Sequence, residues 1–191
     1  YIGNTNDDTD LTTYTFAAHS IGTATYNRCV HVAVHGNGGG VLVSSVSVGG
    51  VAAEINVNVL NGAATAAIAS AFVPSGTTAS IVVVFAGGQL GCRIGVWSSI
   101  GLPHTSAISA SSTADPATAT LTATEGGFCI AATSVNSANT LTWTGGVTEH
   151  YDATSGENRS GSGASGATTA AGITPSGDYS TASGIGVFAT F

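Results

Sequence analysis

Three side chains able to bind a metal sit at alternate or near-alternate positions of one short stretch. They are Cys29, His31 and His35, in 29–35 (CVHVAVH). Zinc takes Cys and His ligands, and odd positions of a strand share one face. Residues two apart on a strand stand about 7 Å apart. Two of the three could therefore hold one ion only with help from a neighbouring strand. The reading the sequence favours is plainer: a mixed, partly exposed sheet face, with no metal and no cofactor.

A second group gathers around residue 150. Glu149, Asp152 and Glu157 surround His150 and Tyr151, with Trp143 just upstream. Glycosidases use paired carboxylates, and aromatic rings stack on sugar rings. Trp143, Glu149, Tyr151 and Asp152 are thus the candidate ligand-binding or interface residues. Trp143 and Tyr151 suit the role of core or interface anchors equally well.

Other motifs are weaker. The stretch 4–10 (NTNDDTD) alternates oxygen ligands like a calcium loop, but it lacks the Gly and the closing Glu that such a loop needs. It reads as a solvated arm. The run 161–166 (GSGASG) has serines without the strand–turn–helix setting of a nucleophile elbow. Asn158, Arg159 and Ser160 fit a glycosylation sequon. No catalytic set emerges, and an enzyme is not expected. The three cysteines, Cys29, Cys92 and Cys129, are far apart and odd in number. They read as small buried strand residues, or as one disulfide and one free thiol.

The whole composition sets the frame for these residues. In 191 residues only 7% are charged, Lys is missing, and the only cations are Arg28, Arg93 and Arg159. With a formal net charge of −7, nucleic acid is a poor partner, since phosphate contacts need clustered Lys and Arg. An anionic membrane surface is disfavoured on the same ground. Apolar residues reach 43%, so disorder is excluded. No run approaches the roughly 18 to 20 apolar residues of a membrane helix. A chain that opens at Tyr1 and has no Met reads as a processed product or a piece of something longer.

The elements that must position the candidates are strands. Val, Ile and Thr are frequent and Gly is everywhere, which disfavours helix. Alternation marks strands at 13–17, 29–35, 43–48, 51–59, 66–72 and 79–85. The run 79–85 (ASIVVVF) is continuously apolar and is expected to be covered on both faces. Further strands follow at 92–100, 117–124, 128–135, 140–144, 147–151 and 184–191, with 156–166 as a Ser/Gly-rich loop or edge segment. Gly49-Gly50 marks a tight hairpin; Gly87-Gly88 and 74–76 mark further turns. The expected fold is all-β: an antiparallel sandwich with jelly-roll or Greek-key-like connections and little or no helix. Residues 1–12 form an arm and 13–191 a single domain; the alternative is two small β units split near 103–116.

Several stretches carry a resemblance: SSVSVGGVAAE (44–54), TADP (113–116) with the Thr/Ala strand after it, GGFCIAATS (126–134) and LTWTGGVTEHYD (141–152). They resemble β-rich virion structural proteins of tailed bacteriophages, and the likeness runs over 14–191. It implies a non-enzymatic capsid decoration (cement) protein, head fibre or tail-associated module on the virion surface, outside the cell. Its partners would be the major capsid protein or another virion protein, and itself, as a homo-oligomer such as a trimer. Edge strands near 156–169 would add to a neighbour's sheet. The alternative is a carbohydrate-binding or adhesin module of a phage fibre or secreted protein.

Overall fold

The computed structural model describes residues 1–106, 108–123, 125–154, 159–179 and 184–191. Among them the chain is all-β, a stack of antiparallel sheets without helix. The first inner sheet orders β1 (Gly3–Asp7), β9 (Gly91–Ile100), β3 (Arg28–Asn37), β7 (Ala64–Phe72) and β6 (Glu54–Asn61). Its outer partner orders β2 (Leu11–Ser20), β8 (Thr78–Gln89), β4 (Val43–Val48) and β5 (Val51–Ala52). The second inner sheet orders β10 (Ile108–Ser112), β17 (Gly184–Thr190), β12 (Phe128–Val135), β15 (Ser160–Ala167) and β14 (Thr148–Thr154). A short outer sheet of β11 (Ala117–Thr118), β16 (Ser176–Asp178) and β13 (Thr142–Thr144) completes the stack.

The sheets divide the chain in two. Among the described residues, the strands up to Ile100 pair only with one another, as do those from Ile108 on. The order 1-9-3-7-6 in the first half recurs as 10-17-12-15-14 in the second, and 2-8-4 recurs as 11-16-13. Even the irregularities match. The edge strand β6 bulges between Ile55 and Val57, and its counterpart β14 between Glu149 and Tyr151. The bulged residue reaches a serine on the next strand in both: Ser70 Oγ–H donates to Asn56 Oδ1, and His150 Nε2 meets Ser165 Oγ, each at 2.7 Å.

Three cores hold the layers together. Val30, Val32 and Val34 point from β3 into the first, with Tyr14, Ile81, Val83 and Phe85 from the outer sheet. Ala33, Ala66, Ile68 and Trp97 meet Ile130, Ala132, Ile185 and Val187 in the second, the seam between the halves. Leu121, Cys129, Ala131, Leu141 and Phe188 fill the third. Each buried Val, Ile or Phe contributes about 1.5–3 kcal/mol. Strands with cores on both faces are buried throughout, as β3 is from Arg28 to Asn37.

Several local expectations need correction. Residues 1–12 are not a free arm: Gly3–Asp7 pairs with Val96 through Cys92, which satisfies the polar backbone at that sheet edge. The apolar run of β8 is covered on one face only. Ile81, Val83 and Phe85 are buried, while Val82 and Val84 are half-buried beside Thr15 and Thr13. Gly87 and Gly88 lie inside β8 rather than in a turn. The Ser/Gly-rich segment expected as loop or edge is β15, paired to β12 on one side and β14 on the other from Ser160 on; it has no free edge to offer a neighbour. The Gly49-Gly50 hairpin forms as read, with Val48 opposite Val51 and φ of +60° and +80°.

Candidate functional site

The side chains with chemistry converge on the seam. Odd residues of β3 face the second half, so His31 and His35, expected on a partly exposed face, are fully buried under the second inner sheet. A hydrogen-bonded chain fixes the state of His31. Asn56 Nδ2 donates to the His104 carbonyl at 3.2 Å, leaving its Oδ1 to accept from Ser70. Ser70 Oγ therefore accepts from His31 Nδ1–H at 2.8 Å. The lone pair of His31 Nε2 is left to accept from Ser99 Oγ–H, also at 2.8 Å. Phe191 and Phe128 enclose the ring, centroids 4.2 and 5.2 Å away.

A serine on a neutral imidazole is the geometry of an activated nucleophile. Here the base is weak. Burial lowers His31 to about 3, so charging it at neutral pH costs about 5 kcal/mol. The relay behind it ends on neutral Ser70 and Asn56 rather than on a carboxylate. It ties β9, β3, β7 and β6 together and sets a tautomer; it does not arm Ser99.

His35 makes the second polar contact across the seam. Its Nε2 lies 2.6 Å from Tyr151 Oη. Burial lowers His35 to about 3 and raises Tyr151 well above its ordinary value, so both stay neutral across this bond. Tyr151 needs space on both sheets, and glycines supply it. A Cβ on Gly95 would stand 2.4 Å from the Tyr151 ring, and one on Gly163 2.5 Å. A Cβ on Gly161 would stand 2.8 Å from His35. This explains the SGSGASGA sequence of β15: Gly161 and Gly163 line the seam, while Ser162 and Ala164 face the third core. Toward solvent, Trp97, His150 and Tyr1 continue the aromatic packing, with Tyr1 stacked on His150 at 4.7 Å.

The candidate set around residue 150 splits between two faces. Tyr151 lies opposite Gly163 and enters the seam, while Glu149 opposite Ala164 and Asp152 opposite Ser162 take the other side. On that side Trp143 Nε1–H donates to Ser162 Oγ at 2.8 Å, and Asp152 Oδ2 accepts from Leu141 N–H at 2.9 Å. Burial, and for Glu149 also the neighbouring Asp152, raises both carboxyls. Glu157 and Asn158, hence the third acid and the sequon, lie outside the described residues. Cys29 does not join the histidines: its thiol meets the Leu102 carbonyl at 3.2 Å. All three cysteines are free and buried in strands. Among the described residues no three His, Cys, Asp or Glu gather as a metal would need.

Sequence reasoning passed over the arginines. Arg28 is fully buried and donates to three carbonyls, Val73, Gly22 and Ser75, each at 2.8 Å. Arg93, 3% exposed, lies opposite His35 and, among the described residues, is ion-paired to Asp8, Nη2 to Oδ1 at 3.6 Å. Only the scarcity of cations in the sequence could have marked them.

No family profile matches this chain, no curated protein is similar to it, and no solved structure resembles it at a meaningful level.

Proposed function

We propose that each half is a jelly roll and that the chain is a non-enzymatic structural protein of a particle surface, a capsid decoration protein of a tailed-phage head. The observation that carries this reading is the disposition of side chains between inside and outside. The imidazoles of His31 and His35, the thiols and Arg28 lie within the stack, where the histidines and Arg28 hold strands and halves together. The outer face of the first outer sheet, by contrast, carries uncharged rungs: Thr13, Val84 and Ser45 on one, Thr15, Val82 and Ser47 on the next. Such a face suits broad, shallow contact repeated over a lattice, where many weak copies hold by avidity. Jelly rolls recur in capsid proteins and lectins, so the strand order fits this reading and does not by itself select it. The carbohydrate-binding alternative loses Tyr151 to the seam and keeps Trp143, Glu149 and Asp152.

Light scattering over a wide concentration range tests the proposal. A trimer or larger assembly, unaltered by reductant because the thiols are buried, is expected. A chain that stays monomeric up to the millimolar range removes self-association and with it this reading. Glycan binding abolished by Trp143→Ala would replace it with the carbohydrate one.

A further inference from the structure

Arg93 is the charged group among the unpaired polar side chains of the seam, which also include Trp97 Nε1 and His35 Nδ1. Its Nε and Nη1 are buried and have no hydrogen-bond partner, and neither has Nη1 of Arg159. A buried donor left unpaired is destabilising, the more so on a charged group. The fold does not require the charge. Arg93 pairs with His35 on β3, and the same place in the second half, opposite Ser134 on β12, is taken by Ile185. Both positions are buried, so an aliphatic residue serves there without penalty.

The second arginine comes to the same end of the seam. Arg159 precedes β15, and its Nε–H donates to Asn136 Oδ1 at 2.9 Å. Its Nη1 lies over Gly38, where a Cβ would come within 2.8 Å. The glycine leaves room for the guanidinium, just past the end of β3. The two guanidinium groups are close enough that Arg159 adds to the depression of Arg93, after burial as the main cause. Two of three cations in a chain of net charge −7 thus converge, with Asp8 the one carboxylate paired to them among the described residues. The Asp8 side chain is 36% exposed and Arg159 is half-buried, so the pair borders solvent while the three unpaired donor atoms are themselves covered.

We propose that Arg93 and Arg159 form a binding site for a small oxyanion, with the unpaired Arg93 Nε and Nη1 and Arg159 Nη1 as its donors. Charge-assisted N–H···O bonds of this kind are the strong ones, and an oxyanion supplies the several acceptors that Asp8 alone does not. Sulfate, phosphate and a carboxylate share this chemistry.

Thermal unfolding of the full chain, titrated with sodium sulfate, phosphate or acetate against sodium chloride at matched ionic strength, reads out binding. Expected is a saturable rise in Tm of a few degrees, half-complete in the millimolar range. Arg159→Gln, at the half-buried position, should weaken it at least tenfold. Acetate acting as strongly as sulfate assigns a carboxylate; sulfate or phosphate acting alone assigns a tetrahedral anion. Crystals soaked in selenate should show anomalous density against Arg93. A Tm that does not rise, that rises without saturating, or that rises equally in Arg159→Gln overturns the site.

Discussion

The two halves of the chain solve one packing problem with different residues. At equivalent register, Val57, Ile68 and Val187 meet on one side of the seam, where Tyr151, Gly163 and Gly95 meet on the other. Three middle-sized side chains are replaced by one large and two absent ones. The same holds along the central strands. His31 lies opposite Ser70 and Trp97, while its counterpart Ile130 lies opposite Ser165 and Ala189. One strand order therefore tolerates a polar, hydrogen-bonded seam and an aliphatic one. The first half supplies the two buried imidazoles, His31 and His35, and the second supplies the Phe128, Phe191 and Tyr151 rings against them.

Undoing the volume exchange should have the largest effect. Gly95→Val puts a side chain into the Tyr151 ring and is expected to destabilise by about 3 kcal/mol or more. Tyr151→Val alone leaves a cavity and costs roughly 3–4 kcal/mol. The triple Gly95→Val, Tyr151→Val, Gly163→Ile copies the other side of the seam and should cost far less than the sum of its parts. Urea unfolding of the series measures the coupling. Additive costs would show that the two sides are not equivalent.

Acid should act next, chiefly through the two fully buried histidines of the first half, although burial also lowers His150 and raises Glu149 and Asp152 in the second. His31 and His35 have folded-state values near 3, against about 6.5 unfolded. The unfolded chain binds more protons between those limits, so stability is complete above about 6.5 and falls as pH drops toward 3. Two such groups give a slope of up to about 2.7 kcal/mol per pH unit in the middle of the window. Replacing each histidine by its second-half counterpart, His31→Ile or His35→Ser, should halve that slope in urea midpoints followed across pH. A slope unchanged by either substitution would place the acid sensitivity elsewhere.

Legibility followed the range of the interactions. Period-two alternation and the Gly49-Gly50 turn are local, and they announced the strands and the all-β class. The candidate site was barely legible, because it depends on which face is covered by a sheet formed about 100 residues later. Nothing near His35 announces Tyr151, and nothing in GSGASG announces that Gly161 and Gly163 accommodate rings across the seam. The valines of β8 misled for a related reason: β-branched residues suit an outer sheet face beside Thr13 and Thr15 as well as they suit a core. Glu149 and Tyr151 were grouped by sequence proximity, and the bulge between them sent them to opposite faces.

The sharpest contrast lies between the two buried arginines, and the smallest effect is that of Arg93. Arg28 satisfies three carbonyls, so Arg28→Met strands them and should cost about 3 kcal/mol or more. Arg93 makes no comparable bond. Arg93→Ile installs the residue that the second half carries at the same place, Ile185, and removes an ill-paired buried charge. Replacing such groups by apolar residues is often neutral or stabilising, against which stands the loss of contact with half-exposed Asp8, worth at most about 1 kcal/mol. In anion-free buffer Arg93→Ile should therefore lie within about 1 kcal/mol of the parent. In saturating sulfate it should fall behind, because only the parent gains from the anion. Equal behaviour of the two proteins in both buffers would make Arg93 a tolerated residue of the seam and nothing more. A loss as large as that of Arg28→Met without anion would show that the guanidinium holds the halves together by itself.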